Sequence, residues 1–370
     1  MSQTTGRNYV YPLDFVRAIT ILAVVAVHAV RFGLVPSHPV AGGLVQLVFQ
    51  WGRISFMVVT GFIVAYQYRD RNPRWWAFFG RRARSAGAPY LLWLALFLLE
   101  TVPIWPLGPF LQQYLQVLPQ GNGHLYYMII TFQMYLLTPV LIWTLRTSRQ
   151  HMRWIVLAAV VWEVLSWTAT GYLRQSLAPP LWVTTYVGYF IVGASLGYYW
   201  PIWRARLASH RALFRNLFLP ALAVVAAGFF IDDRFIGGLF LATSMFQPSS
   251  VLFGLFMTMA LLAGGTWFEE VRPGRLRLAW AIGIVADASF GIYLVHPLFV
   301  HGWLDLAQAM HWHINSILNT GITFAAGVVL SLVVVWIIRL LPFSEYLIGT
   351  KRRRNPRVNA ATSTSTTVVS

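Results

Sequence analysis

The sequence predicts an all-α fold: a polytopic integral membrane helical bundle of about ten transmembrane helices, with both termini cytoplasmic. Three observations carry this. Of 370 residues, 57% are hydrophobic and 11% charged, against about a quarter charged in soluble domains. Apolar runs of the roughly 20 residues a bilayer requires recur along the chain. Basic residues collect in every second loop.

The candidate spans are 13–33, 44–66, 86–105, 123–145, 152–170, 181–200, 217–231, 249–266, 279–303 and 317–340. The runs at 217–231 and 249–266 are short. Between them lie Asp232-Asp233-Arg234 and then an apolar stretch, broken by Gln247-Pro248-Ser249, that reads as interfacial or re-entrant. The first run is too long for a signal peptide and lacks a small-residue cleavage site, so it reads as an uncleaved span. No internal repeat, soluble domain or long linker is evident. The division expected is a transmembrane domain at 1–345 and a basic, Ser/Thr-rich tail at 346–370, disordered and close to anionic lipid.

Charge orients the chain. With cytoplasmic termini, 23 of the 28 Lys and Arg residues lie on the cytoplasmic side. They include Arg69 to Arg84 after the second span, Arg146 to Arg153 after the fourth and Arg204 to Arg215 after the sixth. The outer side keeps Arg31, Arg174 and Arg234, while Arg17 and Arg53 sit inside spans. That asymmetry satisfies the positive-inside rule. It also accounts for the formal charge of +17 without nucleic acid, for which no binding module is present. The absence of cysteine excludes disulfides, thiolate metal sites and a cysteine nucleophile. There is no Gly-x-Ser-x-Gly elbow, His-Glu-x-x-His pair or Walker loop, so serine hydrolase, zinc peptidase and ATP-driven pump lose support. No metal is expected.

The stretch from Leu13-Asp14-Phe15-Val16-Arg17 to His28 organises the rest. Ionisable groups at membrane depth are costly and usually functional. On a helix, Arg17 and His28 lie within roughly 20° of one line and roughly 16 Å apart. One stripe therefore carries a cation near a membrane face and an imidazole near mid-depth. A neutral imidazole can take a proton from a hydroxyl that attacks an acyl group, and Asp14, a turn before Arg17, is placed to orient its guanidinium. The alternative for His28 is a packing hydrogen bond between helices.

Four more stretches draw attention. Arg81, Arg82 and Arg84, leading into Pro89-Tyr90, suit a phosphate-rich ligand, or serve topology alone. Arg53, in Trp51-Gly52-Arg53-Ile54-Ser55-Phe56, contacts a substrate or a reacting carbonyl, or snorkels to the outer interface. His124 and Tyr127, in Gly121-Asn122-Gly123-His124-Leu125-Tyr126-Tyr127, form a sugar-holding rim or a turn before an aromatic belt. Ser289 to Pro297 puts His296 in the ninth span, where Pro297 should kink the helix and free backbone groups. His301 falls at the rim. Glu163 and Asp287 are intramembrane carboxylates to which the sequence assigns no partner.

Together these pieces resemble the acyltransferase-3 family of multi-span membrane acyltransferases, from about residue 9 to about 340. The Arg17 to His28 spacing resembles the family's opening pattern. Arg53 to Thr60-Gly61-Phe62 resembles its second-span signature, with Thr where Ser is more usual. His124-Leu125-Tyr126-Tyr127 and Ser289-Phe290-Gly291-Ile292-Tyr293-Leu294-Val295-His296-Pro297 resemble its fourth-span opening and late motif. The resemblance implies transfer of an acyl group, commonly acetyl, from cytoplasmic acyl-CoA to a hydroxyl of a cell-envelope glycan or lipid-linked sugar. Acyl-CoA is a co-substrate and no cofactor is implied. His28 maps to the essential histidine; Arg17 and the cluster Arg81, Arg82 and Arg84 map to the donor side. Arg53, His124, Tyr127 and His296 are left for the acceptor. One departure is that the family's Arg-x-x-x-Arg, counted back from Pro89, places its second basic position on Ser85, beside Arg84. The expected setting is the plasma membrane. The rivals are a transporter or flippase of envelope precursors and a non-catalytic assembly partner.

Overall fold

The computed structural model describes residues 9–172, 182–244, 246–312 and 314–350. Arg174 and the tail from Lys351 onward lie outside them. Among the described residues every regular element is helical. In chain order these are α1 (Tyr11–Gly33), α2 (Pro39–Phe49), α3 (Trp51–Tyr68), α4 (Trp75–Arg82), α5 (Ala88–Leu98), α6 (Leu107–Val117), α7 (Tyr126–Thr147) and α8 (Met152–Tyr172). They continue with α9 (Val187–Tyr198), α10 (Trp200–Ser209), α11 (Arg211–Ile231), α12 (Gly238–Ala242), α13 (Pro248–Val271), α14 (Leu276–Ala309), α15 (Ser316–Ile338) and α16 (Ser344–Ile348).

Eight stretches among these residues are long and apolar enough to cross a bilayer. The runs expected to be short are not: α11 continues through a π turn at Asp232–Ile236, and α13 covers 24 residues. The short elements are instead α9, with 12 residues, and α5, with 11. The span expected at 86–105 is displaced towards the N-terminus. A π turn at Ala83–Gly87 joins α4 directly to α5, and the helix stops at Leu98 ahead of Pro103 and Pro106. Proline lacks the N–H and obstructs the preceding turn. The stretch expected to be interfacial holds only the five-residue α12, beside α2.

Small residues let the inner helices touch. Gly193 and Gly197, spaced i, i+4 on α9, face α3, where an added Cβ would meet the carbonyl oxygens of Val58 and Phe62. Gly61 of α3 returns the contact at the Phe190 carbonyl. This is the small-xxx-small route to close packing in lipid, where apolar burial drives association little. Val58 pairs with Gly193 and Phe62 with Gly197, so α3 and α9 run parallel. Arg17 reaches Ser289, and His28 lies beside His296, so α1 and α14 are also parallel. Trp303 bonds Asn319 and Asp287 pairs with Arg339, which sets α15 antiparallel to α14.

These pairings gather the basic residues at one end. Arg146, closing α7, donates to the carbonyls of Tyr68 and Arg71 after α3. Arg204 and Arg211 pair with Glu269 and Glu270 at the end of α13, and Arg272 stacks on Tyr11 at the start of α1. The two unassigned carboxylates find partners. Asp287 binds Arg339 at 2.7 Å, and buried Glu163 accepts from the Gly188 N–H in the first turn of α9 at 2.6 Å, where the helix dipole favours negative charge. The bundle also extends beyond residue 345. Trp93 Nε1 donates to the Leu347 carbonyl and Ile348 is fully buried, so residues 346–350 belong to the packed domain.

Candidate active site

Three helices bring three imidazoles together. His28 comes from α1, His124 from the one-turn helix before α7, and His296 from α14. Ring centroids are 5.0 Å apart for His28–His296, 5.4 Å for His124–His296 and 6.4 Å for His28–His124. No group of metal-ligating side chains suited to an ion occurs among the described residues.

The local sequence explains each placement. Gly121 and Gly123 take positive φ, +74° and +52°, and turn the chain into α7 so that His124 points inward. A side chain at Gly121 would run into the Tyr126 backbone. His296 is set by the residue after it. Pro297 has no N–H, which leaves the Tyr293 carbonyl without its helical donor. The His296 ring supplies one, with Nδ1 2.9 Å from Tyr293 O and 3.0 Å from Ile292 O. The helix consequently runs on unbroken through Pro297. A donor at Nδ1 fixes the neutral tautomer and leaves the Nε2 lone pair facing the other rings. Both His296 Nε2 and His124 Nε2 are buried without a hydrogen-bond partner, an arrangement that resting proteins seldom keep without a use for it.

A cavity of about 320 Å³ opens beside this cluster. His28, His124, Tyr127 and Arg53 line it together with Tyr126 and Tyr293. Exposed Arg31 and Phe32, at the end of α1, mark its mouth at the arginine-poor end. Arg53 is held within the wall and does not snorkel. Its guanidinium donates to Tyr126 Oη at 3.1 Å and Gln50 Oε1 at 3.3 Å, and stacks 5.4 Å from the Trp167 ring centroid. Tyr127 Oη lies 3.5 Å from Thr60 Oγ1, and Tyr293 Oη donates to the His124 carbonyl at 2.6 Å.

Several expectations change. His28 lies 17 residues into α1 and five from its end, about 25 Å up the helix. His296 is fully buried, stands outside the cavity wall and packs against the rings of His28, His124 and Tyr293. Asp14 belongs to the basic end, about 21 Å below His28 along the helix. It does not orient Arg17. It accepts from Tyr9 Oη at 2.8 Å, while Arg17 donates to Ser289 Oγ at 3.1 Å. Burial and that hydrogen bond push the Tyr9 phenol up to about 12, so it remains a donor.

At the basic end, Arg81 donates to Tyr68 Oη at 2.9 Å and Arg82 stacks over Phe78 and Tyr135. Arg84 donates to the Gly80 carbonyl at 3.3 Å and is exposed. The π turn begins directly before Arg84 and holds one residue more than an α turn. It thus absorbs the one-residue offset that puts Ser85 at the expected basic position. The cavity does not reach this end. Its lowest α1 residue is Val24, about 10 Å above Arg17.

Sequence reasoning passed over Arg31, Gln46 and Gln50, all in the cavity wall. A signal was present. Gln46 and Gln50 lie one turn apart in an apolar helix, and Arg31 follows His28 by three residues, on the same face.

The acyltransferase-domain family matches residues 10–340. No curated protein and no solved structure matches the chain. With that match over nearly the whole chain and a helical membrane bundle, the chain belongs to the acyltransferase-3 family and is a multi-pass membrane acyltransferase.

Proposed function

We propose that the protein moves an acyl group, commonly acetyl, from cytoplasmic acyl-CoA to a hydroxyl of a cell-envelope glycan or lipid-linked sugar in the plasma membrane. The observation that carries this reading is the convergence of His28, His124 and Arg53 on one cavity in a chain of this family.

The donor docks its phosphates at the basic end, on Arg81, Arg82 and Arg84, with Arg17 deeper. Its arm follows the α1–α14 seam past Arg17 and Ser289 to bring the thioester to His28. The cavity stops at Val24, so loading includes a small parting of that seam. His28 takes the proton of the acceptor hydroxyl as its oxygen bonds to the thioester carbon. The oxyanion faces Arg53 and the tyrosine hydroxyls, which stabilise charge that develops in the transition state. The C–S bond then breaks and the imidazolium returns its proton to the thiolate, releasing CoA thiol and the ester. His28 serves equally if it first carries the acyl group on nitrogen and then passes it to the hydroxyl.

The test is thiol release from acetyl-CoA by the purified protein in detergent, with and without glycan acceptors. Thiol release that requires His28 supports the enzyme. A protein that binds or moves envelope precursors yet never releases thiol is a transporter, and the proposal fails.

A further inference from the structure

Most arginines are distributed as topology demands, and two of the exceptions converge. Away from the basic end, the described residues hold Arg31, Arg53 and Arg234. Arg31 and Arg53 line the same cavity. The positive-inside rule gives no reason for either, since it places arginine at the opposite end. Gln46 on α2 and Gln50, in the turn between α2 and α3, face the same space, and Gln50 Oε1 accepts from Arg53. None of the residues lining the cavity is an aspartate or glutamate.

The wall's glutamine amides, tyrosine hydroxyls and His124 could serve a neutral sugar, but its two fixed charges are both cationic. Sugar hydroxyls must donate as well as accept, and guanidinium groups only donate. A carboxylate or phosphate only accepts, and arginine binds either one bidentately. In the proposed mechanism the coenzyme's own phosphates dock at the basic end, which this cavity does not reach. At about 320 Å³ the cavity is at the small end of the ligand-pocket range, about 300–1,000 Å³, and suits one ring-sized group.

Resting on the acyltransferase reading, we propose that the acceptor is anionic, and that it brings a carboxylate or phosphate into this cavity between Arg31 and Arg53. The two arginines hold the anion, Gln46 and Gln50 orient the ring beside it, and one of its hydroxyls is turned towards His28.

The experiment uses the full chain in detergent at fixed ionic strength. Binding is measured for methyl glucuronide, glucose 6-phosphate and neutral methyl glucoside, together with acetyl transfer to each. An anionic ligand should bind about tenfold to a hundredfold tighter than the neutral one, the range for hydrogen bonds to a charged group. Arg31→Gln, at the exposed mouth, should reduce that preference about tenfold. Whether the carboxylate or the phosphate wins identifies the source of the anion. Equal binding of all three, or a preference that Arg31→Gln leaves intact, overturns the proposal. If anions are preferred and no thiol is ever released, the acyl-transfer reading fails while the anion site stands. If transfer proceeds without preference for charge, only the anion site fails.

Discussion

His28 and His296 meet across the α1–α14 seam with ring centroids 5.0 Å apart, and only the first of them lines the cavity. In the proposed mechanism the cavity-lining ring is the one within reach of substrate, and the buried one, whose Nε2 has no hydrogen-bond partner, packs behind it as a positioning residue. His28→Ala should therefore lower acyl transfer by at least about a hundredfold, the lower range for a general base, with normal insertion and accumulation. Wild-type thiol release from that variant would remove His28 from the mechanism.

Pro297 bears on the same pair from the backbone. An interior proline costs a helix about 3 kcal/mol, and here it leaves the Tyr293 carbonyl to the His296 ring. Pro297→Ala restores a backbone N–H that competes for this acceptor and loosens the tautomer. The variant should melt no lower than the wild type, with kcat down about tenfold or more and KM little changed. Misorienting a catalytic imidazole costs up to about 10⁴ in rate elsewhere. If activity stays intact, the proline's contribution is to packing alone.

In the proposed mechanism the arginines at the junction of α4 and α5 bind the donor. Arg81→Gln with Arg82→Gln should raise KM for acyl-CoA about tenfold, and that for the acceptor far less, because each removes a charge-assisted phosphate contact. Higher salt should narrow the difference. Equal effects on both substrates would point to a general disturbance of the fold. Orientation in the membrane is checked in parallel, since the same arginines hold topology.

Much of this was legible from composition and spacing. The bundle followed from apolar runs, and the stripe from Arg17 to His28 followed from helical period. What escaped needed tertiary information. The span before α6 was misplaced because a π turn carries the helix back through Arg81, Arg82 and Arg84, residues a hydropathy window reads as loop. Asp14 was given to Arg17 by sequence proximity, whereas Tyr9 lies nearer in space. His296 was left for the acceptor by the family resemblance, and Pro297 was expected to kink the helix beside it. The ring instead repairs the break and is buried by doing so. Arg31 was counted only as an outer-side charge at the end of the first span; the structure places it in the cavity wall beside residues of α2 and α3.

The α3–α9 contact predicts a stability defect separable from chemistry. Gly193 has no room for a side chain, because its first carbon would meet the Val58 carbonyl oxygen. Overpacking a tight contact costs typically about 1–3 kcal/mol, and here the obstacle is backbone. Gly193→Leu should lower the thermal midpoint in detergent and reduce accumulation. Gly283→Leu, where nothing lies within 4 Å of an added carbon, is the control and should not. A Gly193→Leu protein as stable as the control would mean the helices are farther apart than described.

Orientation can be read directly because the chain has no cysteine. Gln120, exposed before α7, belongs to the arginine-poor end; Ala205, exposed on α10 between Arg204 and Arg206, belongs to the basic end. Under the positive-inside rule the basic end is cytoplasmic. Gln120→Cys should react with an impermeant maleimide on intact cells, and Ala205→Cys only after the cells are opened. The reverse pattern would put the cavity mouth in the cytosol with the arginine cluster outside. Acyl-CoA would then have to reach His28 through the mouth itself, and the route along the α1–α14 seam would have no donor to carry.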